Sequence, residues 1–150
     1  MAKHNVYPYT QTTIALCWEA CARMLWHFRH GGLNGYSQRA GHYLSITTGQ
    51  TENQMDVFYK QLGMRSLSQP HTRNLTHALR WSPVIFALVG QQTGHAVVAS
   101  GEAGGQLDIV NPCAMMSVDF ETDASSCTAG AGQLPLEAVG QRLGAYIWYW

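Results

Sequence analysis

Apolar positions along this chain change their spacing at Pro83, from helical intervals before it to short, dense, β-rich runs after it. Within residues 14–30, Cys17, Cys21, Met24, Leu25 and Phe28 follow one another at spacings of four, three, one and three. At about 100° per residue they cover an arc of about 100°, the width of a core-facing stripe, which predicts an amphipathic helix. Thr12 or Thr13 stands where a cap is needed, and Gly31-Gly32 ends the pattern. Cys17 therefore falls in or near the first turn, on the buried side. Further helices are predicted over residues 37–44, over 52–62 with Thr51 as cap and Gly63 as stop, and over 73–81.

After Pro83 the runs at 84–89, 95–100 and 107–110 read as strands. The glycine-bearing segments QQTG and GEAGG separate them, so an antiparallel meander is expected. Residues 111–132 read as a long loop rich in Ser, Thr, Ala and Gly, followed by a helix at 136–143 and an aromatic strand, AYIWYW. Helices first and a sheet afterwards predict an α+β domain covering residues 1–150.

With 46% apolar residues the chain can build a substantial core. Charged residues make up 12%, about half the usual share of roughly 25%. Nine basic residues balance nine acidic ones, which argues against a protein that works by neutralising phosphates and against a polybasic membrane-surface segment. The apolar run at 83–89 is far short of the roughly 20 residues that cross a bilayer. Neither nucleic acid nor membrane insertion is therefore expected. The first ten residues, MAKHNVYPYT, hold no apolar stretch of the kind a cleavable signal peptide needs.

A cysteine on an apolar helix face is ordinarily a small core residue, but three features set Cys17 apart. A first-turn position puts its sulfur at the positive end of the helix dipole, which favours thiolate, the nucleophile of acyl-transfer chemistry. Gln11 lies six residues upstream, where its amide and the backbone N–H of Cys17 can form a two-donor oxyanion hole. His95 opens the apolar run GHAVVASG, and Asn111 ends the next strand in IVNP. In an antiparallel pair the start of one strand faces the end of the next, so Asn111 can orient the His95 imidazole. Asp108 is the rival for that third place, yet it alternates against Leu107 and Ile109, whose side Asn111 shares. Trp18 is expected beside the site as a substrate-binding or core aromatic.

Gln11, Cys17-Trp18, Gly94-His95 and Asn111-Pro112, in that order, resemble the papain-like cysteine peptidases. The match is to a compact bacterial branch that includes bacteriocin-leader peptidases and effector proteases of pathogens. The segment AGHYLSITTGQTENQMDVFYKQLGM is similar to the stretch between catalytic helix and sheet in the effector proteases. The resemblance implies a catalytic helix packed on a C-terminal antiparallel sheet and a Cys–His–Asn triad with glutamine in the oxyanion hole. It also implies hydrolysis of protein substrates through a thioester without a cofactor or metal. A delivered toxin or effector domain, reaching a target-cell cytosol by a specialised route and matched by a cognate immunity protein, fits the same picture. The leader peptidases of this branch cut after small residues such as Gly-Gly.

Three other readings compete. Cys17, Cys21, His27 and His30 have a two-Cys, two-His look, but on an intact helix they lie near 0°, 40°, 280° and 220° at about 100° per residue and cannot converge on one ion. The same triad serves a deamidase or transglutaminase if another acceptor resolves the thioester. A non-enzymatic binding module would keep these residues for structure alone. Of the remaining cysteines, Cys21 is expected in the core. Cys113 and Cys127 either pair, a crosslink contributing on the order of 3 kcal/mol and the expected arrangement for a protein passing through an oxidising space, or remain two free thiols in a reducing cytosol.

Overall fold

A computed structural model describes residues 3–13, 15–90, 94–113 and 128–150. The predicted first helix is present as α1, Cys17–His30. It starts later than the apolar spacing indicates. Neither threonine caps it: Leu16 is the N-cap and makes no side-chain bond there, so Cys17 is the first helical residue. Gly31 closes it with φ 76°, its N–H bonded to the His27 carbonyl, a backbone shape that glycine takes without strain. The second helical stretch is split into α2, Tyr36–Ala40, and a 3₁₀ turn, Gly41–Ser45. Helix α3, Glu52–Gln61, begins with a capping box in which Thr51 accepts from Gln54 N–H and the Gln54 side chain accepts from Thr51 N–H.

Next come β1 at Arg65–Ser68, α4 at Thr72–Ala78, β2 at Val84–Val89, β3 at Gly94–Ala103 and β4 at Gln106–Asn111. The chain closes with β5 at Gly130–Pro135, α5 at Leu136–Arg142 and β6 at Leu143–Tyr149. The order of elements therefore corrects the simple helices-then-sheet expectation, because β1 precedes α4. Strand β5 likewise begins inside the stretch expected to be loop. The strands form one antiparallel sheet in the order β1-β6-β2-β3-β4-β5. Strands β3 and β4 turn on Gly104 and Gly105, both at positive φ, as a two-residue hairpin turn matched to the sheet twist requires.

The sheet has helices on both faces. Ile85, Ala96, Val98, Val110 and Trp148 belong to one core with Cys21, Met24 and Leu25 of α1 and Met55, Phe58 and Tyr59 of α3. Phe86, Val97, Ala99, Leu107 and Ile147 belong to the other, with Leu75 of α4, Leu79 directly after it and Val139 of α5. Alternation along each strand supplies both cores, which is why β2 reads as an unbroken apolar run. Among the described residues no helix is long and apolar enough to cross a membrane.

Candidate active site

The N-terminus of α1 meets the start of β3. Cys17, half-buried at the first helical position, accepts a hydrogen bond on Sγ from the backbone N–H of Ala96 at 3.4 Å. His95, the residue before it, is 1% exposed, and its Nε2 lies 2.7 Å from Asn111 Oδ1. An amide oxygen can only accept, so that bond puts the ring proton on Nε2 and leaves the lone pair on Nδ1. Asn111 Oδ1 is itself held by a second donor, the Cys113 N–H at 3.0 Å. The sheet thus brings together Cys17, His95 and Asn111 from positions 17, 95 and 111 of the chain.

Asp108 lies elsewhere. Strand β4 runs without interruption from Gln106 to Asn111 against β5, so alternation puts Asp108 and Asn111, three residues apart, on opposite faces, while a bulge at Ser100 of β3 lets Gly101 pair with Asp108. Its carboxylate faces Lys3 Nζ at 3.7 Å and accepts from Gln133 Nε2 at 3.1 Å.

Gln11 is 3% exposed and sits in the segment entering α1. Its backbone N–H bonds to the Pro112 carbonyl at 3.2 Å, and its Nε2 donates to Thr13 O at 2.8 Å. Its Oε1 is buried with no hydrogen-bond partner. Trp18 is buried, donates Nε1–H to the Thr48 carbonyl at 3.2 Å and stands edge-on to Phe58. His27 and His30 sit at the far end of α1, at least ten residues and about 15 Å along the helix from Cys17, where Tyr9 bonds the first and the Trp26 ring lies tilted against the second.

Cys17 and His95 open onto one cavity of about 540 Å³. Trp18, Met55, Ala87 and Val89 give it an apolar wall, and residues 49–52 form another side. Gln11 is not among its lining residues. Sequence reasoning missed the Ala96 N–H and the walls from α3 and β2, which no motif links to Cys17.

Burial pushes the Cys17 thiol above its ordinary value, outweighing the N–H groups of Ala96, Trp18 and Cys17 that pull it down. Burial also pushes His95 down, against the bond to Asn111. Both directions favour a neutral thiol beside a neutral imidazole at rest. Desolvation of the Cys17 thiol thus works against the thiolate that the helix dipole favours. Cys21 is a fully buried free thiol one turn along α1. The expected pairing of Cys113 with Cys127 involves a residue outside the described ones.

No protein-family model matches the sequence, and no curated protein matches it. Solved structures do. The chain is similar to the peptidase domain of Streptococcus ComA, a bi-functional ABC transporter involved in a quorum sensing pathway, with TM-score 0.62 and 15% identity over 97% of this chain and 96% of that one. It is also similar to a double glycine motif protease from an AMS/PCAT transporter, solved in complex with the leader peptide, with TM-score 0.64 and 14% identity over 99% of this chain and 94% of that one. The peptidase domain of Streptococcus mutans ComA matches with TM-score 0.57 and 18% identity over 94% and 95% of the two chains. This chain accordingly has the papain-like peptidase fold, with mixed helices and an antiparallel sheet.

Proposed function

We propose that this protein is a cysteine peptidase that cleaves protein or peptide substrates through a thioester on Cys17. The observation that carries the reading is the Cys17, His95 and Asn111 constellation at the mouth of an apolar cavity, on a fold that the peptidase domains share. His95 Nδ1 takes the thiol proton as Sγ attacks the substrate carbonyl carbon, and the carbonyl π electrons move to oxygen. The Cys17 backbone N–H and Gln11 Nε2 are assigned as donors to that oxygen. Collapse breaks the C–N bond, and the leaving amine takes the proton from Nδ1. Water then attacks the thioester with Nδ1 as base, releasing the acid and the thiol. Asn111 holds the ring in the tautomer that this cycle needs.

Trp18 supports the substrate side of the cavity. A peptide substrate is supported by the neighbour solved with a leader peptide. Delivery as a toxin or effector, with an immunity protein as partner, rests only on the resemblance of the segment at 40–64 and is part of the same proposal.

The test is to expose proteomes to wild type, Cys17→Ala and His95→Ala and to map new termini by mass spectrometry. Alanine is a good helix former, so Cys17→Ala should fold and be inactive. New termini that appear equally with Cys17→Ala sink the peptidase reading. Ammonia release without new termini, dependent on Cys17, would replace it with a deamidase.

A further inference from the structure

The wall formed by residues 49–52 carries a single ionisable side chain, Glu52, and among the described residues lining the cavity there is no other acid and no Lys or Arg. Glu52 is the first residue of α3, where the exposed N–H groups of the helix end favour a negative charge. Both of its carboxylate oxygens lie 2.9 Å from the Ala145 N–H of β6. The carboxylate rests on Gly144, where a Cβ would collide with its Oε1, so glycine lets it lie there. Its charge is thus fixed in place by one backbone donor. Among the described residues the acids in ion pairs are Asp108, Glu19 and Asp56, and Glu52 has no cationic partner. A carboxylate oxygen accepts more than one bond, so this one N–H leaves acceptor capacity unused.

We propose that Glu52 is a specificity-determining residue, selecting substrates that place a cationic group in the cavity beside Cys17. The chemistry is that of a guanidinium or ammonium on an aliphatic stem. Trp18, Met55, Ala87 and Val89 cover the methylenes, and the Glu52 carboxylate takes the charged head. Two sources offer that head: an internal Arg or Lys side chain, or the α-amine of an N-terminal residue. This inference rests on the peptidase reading and names the substrate class of the same site.

Positional-scanning fluorogenic peptides, each made with a free and an acetylated N-terminus, separate these sources. Arg or Lys at one position near the scissile bond should raise kcat/KM at least tenfold over Leu or Gly at that position, with either terminus. A tenfold preference for the free terminus over the acetylated one, independent of the side chain, assigns the cation to the α-amine and keeps Glu52 as its partner. Glu52→Gln retains an oxygen for the Ala145 N–H and should collapse the Arg-to-Leu ratio toward one, chiefly through KM. Thermal melting and alkylation of Cys17 by iodoacetamide report whether the variant is folded. The inference is overturned if the library is cleaved without any cationic preference. It is equally overturned if Glu52→Gln melts early yet keeps the wild-type ratio, because Glu52 is then only a tie between α3 and β6. Failure of the peptidase reading looks different: no peptide is cut and Cys17 resists every electrophile, and the specificity claim falls with it.

Discussion

Replacing Asn111 by alanine removes one oxygen that serves two donors, His95 Nε2–H at 2.7 Å and Cys113 N–H at 3.0 Å. Because His95 is 1% exposed, its Nε2–H has little access to water once the oxygen is gone. Leaving a buried donor unpaired costs about 1–3 kcal/mol, which at about 2–4 °C per kcal/mol predicts a melting temperature lower by several degrees. The kinetic loss is separate. Without Oδ1 the Nε2–H loses the acceptor that fixes this tautomer, and the proposed base on Nδ1 is less well oriented. A fall in kcat/KM of about 10–10² is expected, or roughly 1.4–2.7 kcal/mol at the transition state. The pH profile gives the sharper reading. The bond to Asn111 raises His95, so Asn111→Ala should move the acid limb of kcat/KM to lower pH, while Asn111→Asp, with a carboxylate against the ring, should move it to higher pH. Progress curves with a fluorogenic peptide between about pH 4 and 9, bracketing the ordinary imidazole value, would follow both limbs. Coincident acid limbs in the two variants, or wild-type kcat/KM in Asn111→Ala, would refute the assignment of Asn111 as the group that orients His95.

Gln11→Ala should lower kcat by about 10² if its amide is one of two oxyanion donors, and Gln11→Glu should lower it further by setting a negative charge where one develops. Wild-type turnover in both would remove Gln11 from the site. Cys21→Ala should cost about 1 kcal/mol of stability by emptying a fully buried position and leave kcat/KM unchanged, as a denaturant melt with parallel assays will show. The resting neutral pair predicts that iodoacetamide alkylates Cys17 at a rate that climbs with pH past the ordinary thiol value, and a rate constant down to about pH 5 would instead reveal a preformed thiolate. His95, depressed in the folded state, binds its proton more readily in the unfolded chain. Its share of stability is full above about pH 6.5 and is lost as pH falls through the folded value, visible as a falling melting temperature in that window.

Elements with local signals were legible in the sequence. Thr51 marks the start of α3, Gly31 marks the end of α1, and the run VIFALV is β2 in full. Strand β1, with the sequence RSLS, has no such signal: it is four residues long, mostly exposed, and exists because each residue pairs with β6. Strand β5, GAGQLP, is similarly made by its ladder to β4, since glycine and proline have little strand preference of their own. The candidate site divides the same way. The order of Gln11, Cys17, His95 and Asn111 along the chain pointed to one chemistry. The cavity wall could not be read, because Met55 comes from α3 and Val89 from β2, and the tie that positions Glu52 spans 93 residues.

The segment at 3–13 explains how the distant pieces of the site are held in register. It has no regular structure of its own, yet it is bonded along its length to the elements behind the site. His4 N–H reaches the Ser100 carbonyl, and His4 Nε2 reaches Leu79 O. Lys3 lies against Gly101, where a Cβ would come within 3.2 Å of the Lys3 backbone, so the bulge in β3 and the lack of a side chain there together admit the strap. Further on, Thr10 accepts from Ala129 N–H, and Gln11 N–H bonds to Pro112. That last bond joins the residue assigned to the oxyanion hole to the residue directly after Asn111. The entry to α1, and with it Cys17, is thus tied by backbone to the same end of β4 that holds His95 through Asn111. In the proposed mechanism the Cys17, His95 and Gln11 groups must hold their relative position, and these backbone ties link the segments that carry them.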